Sequence, residues 1–141
     1  MFQRVVEFLI NFKYFRWVTS RLLRLFFVDV PRSVKINGWI TTPHGGMGIV
    51  IHPNTTIGKN VKIYQQVTVG RADIHNLKPS SDFKGFQIGD DVIICAGAKI
   101  LTSTEIKVGR GTIIGANSVL TKSTGVNEIW AGIPAKFIKH R

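Results

Sequence analysis

The chain has 141 residues, 44% of them hydrophobic, enough for one domain with its own core and too few for two ordinary ones. A formal charge of +11 at pH 7 calls for an anionic partner, such as nucleic acid, a membrane surface or a phosphate-bearing cofactor. The one cysteine, Cys95, has no second cysteine with which to complete a disulfide, zinc or redox motif, so a reducing, cytoplasmic setting fits.

Residues 1–28 come first. Val5, Phe8, Leu9, Phe12, Phe15, Leu22, Leu23, Leu25 and Phe26 are spaced as one or two amphipathic helices require. Arg4, Glu7, Lys13, Arg16, Arg21 and Arg24 interrupt them, so no run approaches the ~18 apolar residues of a spanning helix. No small-residue cleavage site follows, which argues against a signal peptide. The apolar face predicts docking on the rest of the chain or on a neighbouring subunit. The mixture of Arg and Lys with Trp17 and several Phe also fits peripheral contact with an anionic membrane face.

From residue 29 to 141 a different rhythm holds. Ile51, Ile57, Ile63 and Val69 recur every six residues, as do Ile88, Ile94, Ile100 and Ile106, and then, two residues out of phase, Val108, Ile114 and Leu120. Thr55, Val61, Val67, Val92, Ala98, Thr104, Thr112, Ser118 and Thr124 stand four residues after an aliphatic, and Gly58, Gly70, Gly89, Gly109 and Gly115 just after one. A helix needs a period near 3.6 and a flat strand a period of 2. A period of six fits a short strand followed by a turn. Three such units close one triangular coil of about eighteen residues, with each aliphatic stacked on its equivalent one coil below and the glycines permitting positive φ or crowded corners. The fold class predicted is all-β, a parallel β-helix preceded by a helical segment.

Three stretches break the rhythm. Residues 71–87, with Pro79, Gly85 and many polar side chains, predict a loop thrown out of the coil, where function tends to concentrate. Residues 104–107 carry the phase shift, predicting a bulge at one corner. After Gly125 the repeats stop, and Ala131 to Arg141 predict a basic tail capping the open end.

The segments His44-Gly-Gly-Met-Gly-Ile-Val-Ile51, Ile57-Gly-Lys-Asn-Val-Lys62, Ile63-Tyr-Gln-Gln-Val-Thr-Val-Gly70 and Ala131-Gly-Ile-Pro-Ala-Lys136 carry a resemblance over about residues 27–138. The chain resembles the hexapeptide-repeat acyltransferases, in particular the catalytic domain of serine acetyltransferase and the short exopolysaccharide acetyltransferases of the colanic acid type. The resemblance implies a left-handed β-helix, a homotrimer and O-acetyl transfer from acetyl-CoA. A fold does not fix a chemistry, so the site needs its own argument.

An alcohol attacks a thioester at neutral pH only if a base takes its proton, and a histidine suits that task. By the resemblance, His44 matches the catalytic histidine. Asp29, fifteen residues earlier, matches an aspartate that pairs with it; in a coil of about eighteen residues that separation returns the chain to nearly the same side one level lower. Such a carboxylate would fix the imidazole tautomer. His75, in the extruded loop, matches a position where related enzymes place an acceptor-binding or catalytic histidine. His52 and His140 read as structural or solvent-facing.

For acetyl-CoA, the resemblance lays the pantetheine arm along the β-helix near Ala98 and Ala116. Lys122, Lys136 and Lys139 then stand ready for its phosphates. The four histidines at 44, 52, 75 and 140 lack the converging spacing of a zinc site, and no metal is expected. The basic residues are scattered without aromatic interleaving on the strands, which argues against nucleic-acid binding. The serine enzymes carry an aspartate just before the catalytic histidine and an arginine beside the loop histidine. This chain has Pro43 and Ile74 there. A site lacking both charges predicts a neutral acceptor hydroxyl, on a sugar of a capsule, exopolysaccharide or lipopolysaccharide precursor, in preference to free serine.

Overall fold

A computed structural model describes residues 1–76, 78 and 80–141. Two helices open the chain, α1 (Phe2–Asn11) and α2 (Arg16–Leu25). Short strands follow: β1 (Lys35–Ile36), β2 (Ile40–Thr41), β3 (Val50–Ile51), β4 (Thr55–Ile57), β5 (Val61–Ile63), β6 (Thr68–Arg71), β7 (Gly85–Ile88), β8 (Ile93–Ile94), β9 (Lys99–Thr102), β10 (Glu105–Val108), β11 (Ile113–Ile114), β12 (Val119–Leu120), β13 (Glu128–Gly132) and β14 (Ala135–His140). They stack into three sheets, β1-β4-β7-β10, β2-β5-β8-β11-β13 and β3-β6-β9-β12, with every pairing parallel except β14, which runs antiparallel on β13. These are the first, second and third faces of a prism, and the fold is the expected left-handed parallel β-helix.

Register explains the period of six. Ile57, Ile88 and Val108 stand in line on the first face, Ile63, Ile94 and Ile114 on the second, and Ile51, Val69, Ile100 and Leu120 on the third. All eleven periodic aliphatics are at most 4% exposed. Each such side chain withdrawn from water contributes about 1.5–3 kcal/mol, an upper figure, since the unfolded chain hides some of that surface already.

The small residues behave as predicted at Thr55, Val61, Val67, Val92, Ala98, Thr112 and Ser118, all buried, but Thr104 is exposed and Thr102 is buried in its place. The two extra residues fall at the corner between β9 and β10. As a result Ile106 is the partner of Phe86, and Val108 that of Ile88.

The glycines do only half of what the repeat suggests. Gly109 is not in the left-handed region; a Cβ there would strike the carbonyl oxygen of Gly125 on the next coil, so close backbone approach is what demands glycine. Left-handed conformation at the corners is shared between glycines such as Gly97 and Gly111 and the non-glycine residues Asn60, Gln66, Asp91 and Asn117, of which Asn and Asp tolerate it better than most.

Two expected boundaries shift. Arg71 pairs with Thr102, and Gly85–Ile88 pairs with Glu105–Val108, so the excursion covers residues 72–84, not 71–87. The C-terminal tail has regular structure that begins before Ala131: Glu128–His140 fold as a β-hairpin that extends the second face. Within it Trp130, in register with Ile114, packs on the core.

At the opposite end α1 closes the prism. Val6, Leu9 and Ile10 are buried, while Asn11 donates to the Ile40 carbonyl (2.8 Å) and accepts from the Ile40 N–H (2.7 Å). Glu7 accepts from the Thr42 N–H at 2.9 Å. The exposed edge of β2 is thus satisfied by side chains, which blunts it against strand addition. Arg16 donates to the carbonyls of Ile10, Pro31 and Val34, tying the helical pair to the loop that enters the coil. Among the described residues no helix is long and apolar enough to cross a membrane.

Asn11→Leu leaves both buried polar groups of Ile40 unpaired. It is expected to lower unfolding free energy by about 2 kcal/mol, measured by denaturant titration; an unchanged midpoint would show that α1 does not support the edge.

Candidate active site

His44 lies on the edge where the second face turns into the third. Thr41 ends β2, Pro43–Gly46 form a 3-10 turn, and Val50 starts β3. His44 sits at φ 57°, ψ 23°, followed by Gly45 and Gly46 at φ 76° and 63°. A non-glycine residue there costs on the order of 1–2 kcal/mol and persists only if its surroundings impose it. They do. The Gly45 N–H donates to the Thr42 carbonyl at 3.0 Å, the Ile49 N–H to that of Gly46 at 3.1 Å, and Glu7 holds the Thr42 N–H. The Phe2 ring of α1 occupies the space a Gly45 side chain would need.

This strain exposes the imidazole at the mouth of a cavity of about 400 Å³, lined by Phe27, His44, Met47, Gly48, Gln65 and Gln66. The Tyr64 ring stands 6.4 Å away, centroid to centroid. Oε1 of Gln65 is buried and has no hydrogen-bond partner among the described residues. The sequence reading missed Gln65 and Gln66. They follow His44 by about one coil, so corner residues spaced at the coil length, and not only the aliphatics, were the signal that would have found them.

Asp29 lies one coil below the strand that follows the His44 turn. The coil at this end of the prism is longer than eighteen residues: Asp29 bridges Val50, and its N–H donates to the Ile49 carbonyl at 2.8 Å. Asp29 therefore lies below a residue six positions past His44. Its carboxylate pairs with the Arg24 guanidinium at 3.0 Å, and no ion pair joins it to His44.

His75 is exposed on the excursion, which leaves the prism at the edge between the third and first faces, away from the His44 edge. The neck of the excursion is ordered. Asp73, 4% exposed, accepts from Arg71 Nε (2.8 Å) and Nη2 (2.7 Å) and from the Ser80 N–H (2.9 Å). These bonds hold its carboxyl well below the usual carboxylate range. The Arg71 guanidinium lies over the Phe83 ring, and Phe83, Phe86 and His52 pack edge to face. His52 thus packs on the fold, while His140 is exposed on β14 with its ring 5.1 Å from that of Phe137.

Of the residues expected to hold acetyl-CoA, Lys122 and Lys136 come together in a groove of about 320 Å³ with Trp130 and Phe137. Ala116 is exposed on the His44 edge, two coils beyond Gln65, and Lys139 is exposed on β14. Ala98 is the correction. It is 0% exposed, its methyl inside the prism between Val67 and Ser118, so it offers no surface to a ligand.

One feature of the edge unites the remainder. The Gln66 N–H donates to the Met47 carbonyl (2.8 Å), Gly97 to Gln65 (3.0 Å) and Asn117 to Ala96 (2.9 Å), forming a column of corners from the His44 turn to Ala116. Burial pushes the Cys95 thiol, just before this column, above its ordinary value, so it is no thiolate nucleophile at neutral pH. Among the described residues no group of three or more His, Cys, Asp or Glu is placed to hold a metal ion.

A prism of stacked hexapeptide coils with an exposed histidine at one corner is the architecture of the hexapeptide-repeat acyltransferases. Within that class the chain is a relative of the serine acetyltransferases. It is 39% identical over 121 residues to "Serine acetyltransferase" of Staphylococcus aureus, covering 85% of this chain and 53% of that protein, and 39% identical over 129 residues to that of Staphylococcus epidermidis. The solved serine acetyltransferase of Neisseria gonorrhoeae in complex with serine superimposes with TM-score 0.71 at 27% identity, covering 96% of this chain and 53% of that one. A serine acetyltransferase in complex with CoA superimposes with TM-score 0.71 at 32% identity, covering 97% and 54%. The chain spans about half the length of the curated relatives it matches. No family model matches it.

Gly45→Ala is expected to cost about 1–3 kcal/mol through its positive φ and the clash with Phe2. Phe2→Ala should recover part of that loss, visible as a coupling of at least about 0.5 kcal/mol in a double-mutant cycle of denaturant melts. Strict additivity would refute the contact.

His52 supplies a pH test. Burial and then the Arg71 charge hold its imidazole below the ordinary value, so the fold prefers it neutral. The unfolded chain takes up the proton first. Stability from this group is complete above the unfolded value near about 6.5 and falls as pH drops below it. His52→Gln should flatten the loss of stability between about pH 7.5 and about pH 5; parallel curves for parent and variant would contradict it.

Proposed function

We propose that this chain is an acetyl-CoA-dependent O-acetyltransferase in which His44 is the general base, that serine is its acceptor, and that it works as a cytoplasmic homotrimer. The observation that carries the proposal is the 39% identity to serine acetyltransferases over a stretch that makes up 85% of the chain. The presence of serine in one structural neighbour and CoA in another supports the same reading.

The chemistry follows from the strained corner. The acceptor hydroxyl donates its proton to a free imidazole nitrogen of His44 as its oxygen attacks the thioester carbonyl. The tetrahedral intermediate collapses by breaking the C–S bond, and the imidazolium returns the proton to the departing thiolate. Asp29, whose carboxylate meets the exposed Arg24 guanidinium at 3.0 Å, lies on the coil below the strand that follows His44 and is the carboxylate proposed to orient its imidazole.

The column of corners supplies a track for the donor. Three coil steps of about 4.8 Å separate the His44 level from Ala116, roughly 14 Å, a length suited to a pantetheine arm. Beyond it the groove with Lys122 and Lys136 offers cations and the rings of Trp130 and Phe137 to a nucleotide carrying phosphates. Each exposed lysine is worth only about 0.2–1 kcal/mol, so neither alone is decisive. His75 lies on another edge of the same prism, so a shared role with His44 requires a second copy of the chain, which is what a trimer provides.

A second acceptor reading has one observation in its favour. Apart from His44 the cavity is lined by Phe27, Met47, Gly48, Gln65 and Gln66, without a charged side chain to meet the ammonium or carboxylate of serine. Such a pocket suits a neutral sugar hydroxyl.

The test is a coenzyme A release assay with acetyl-CoA against free serine, simple sugars, nucleotide sugars and oligosaccharides. Serine-dependent release is expected, and His44→Ala should reduce it at least ~10²-fold with melting behaviour and oligomeric state unchanged. Release with sugars and none with serine would overturn the acceptor; near-normal turnover by His44→Ala would overturn the mechanism. Light scattering should return three chains per particle.

A further inference from the structure

We propose that the outer face of the two N-terminal helices docks on the surface of an anionic phospholipid bilayer. The inner face is fully used, with Val6, Leu9, Ile10 and Leu23 buried against the prism. The outer face is just as apolar. Phe8 is 58% exposed, Tyr14 74%, Phe15 70%, Trp17 54% and Leu25 72%. Phe8, Phe12 and Tyr14 touch in series, with ring centroids 5.3 and 6.0 Å apart, so they form a continuous ridge and not scattered single residues. An exposed apolar surface of this kind marks a contact site.

Charge identifies the occupant. Residues 1–28 hold five basic residues and a single acid, Glu7, and that acid is turned inward onto the Thr42 N–H. What flanks the ridge is only basic: Arg4 beside Val5 and Phe8, Lys13 beside Tyr14, and Arg21 with its guanidinium over the Trp17 ring at 5.7 Å. Arg21 and Arg32 also line a second depression together with Trp17.

Two copies meeting through this same face would bring its cations against rings and other cations, with no acid on either copy's face to answer them. A nucleic acid would use the cations but leave the ridge wet. A bilayer with anionic headgroups takes both, the rings entering the headgroup and acyl boundary and the arginines meeting phosphates. Each ten-residue helix is about 15 Å long, half the hydrocarbon thickness, so it lies in the plane of the interface and does not span.

The experiment is co-sedimentation of the full chain with vesicles of phosphatidylcholine alone and of phosphatidylcholine mixed with phosphatidylglycerol. Partition is expected on the mixed vesicles only, weakening as salt is raised. Arg4→Gln with Arg21→Gln should weaken it about thirtyfold. Phe8→Ser with Trp17→Ser should weaken it at least about tenfold. The charge variant alters only exposed side chains, so it remains informative if the apolar variant does not fold. Neither pair touches the His44 cavity, and coenzyme A release with a soluble acceptor should be unchanged in both, which separates failure of docking from failure of the proposed activity. Absence of the parent from the mixed vesicles, equal partition on phosphatidylcholine alone, or parent-like partition of the charge variant would overturn the proposal. So would retention of the parent on duplex DNA in preference to the mixed vesicles.

Discussion

Everything here depends on the hydrogen bonds that each coil passes to the next. A strand of two to four residues cannot satisfy its own backbone, so every coil takes its register from its neighbour, and a buried side chain that fits once must fit again at each level. That constraint keeps Ile63, Ile94 and Ile114 in one row, and it also stacks the corners into columns. A corner is where the backbone turns outward and where side chains escape the core. The His44 turn, Gln65–Gln66, Ala96–Gly97 and Ala116–Asn117 are one such column, so His44 and the track proposed for the donor share an edge by construction.

The constraint ends at the first coil, which has no neighbour below it. Helix α1 replaces that neighbour: Asn11 mimics a strand toward Ile40, Glu7 caps Thr42, and Phe2 fills the space beneath Gly45. The support that closes the prism is the same support that holds His44 at positive φ. Stability at the open end and geometry at the site are therefore coupled through α1, and the strain at His44 is imposed by packing remote from the imidazole.

The prism itself was legible because its signal repeats. Eleven aliphatics at a spacing of six leave few alternatives, and all eleven are buried. Single events were less so. Ile106 matches the hexad count yet occupies the place of Phe86, because two residues inserted at a corner move the phase without moving the apolar character. The separation of Asp29 from His44 was read with the coil length of the regular middle of the chain, and the first coil is longer. Ala98 was placed beside the pantetheine arm by the resemblance, when its position in the repeat marks an inward one. His44 was singled out by the resemblance that its glycine-rich segment carries. The cavity that surrounds it was not, since Phe27, Met47 and Gln65 meet only through the coil register.

The measurement that bears most directly on this picture is a crystal structure of the chain with coenzyme A and serine bound. It should show the pantetheine arm along the column of corners from Ala116 to the His44 turn, with the thiol and the serine hydroxyl each within roughly 3 Å of an imidazole nitrogen of His44. A thiol lying on another edge of the prism, out of reach of His44, would contradict it.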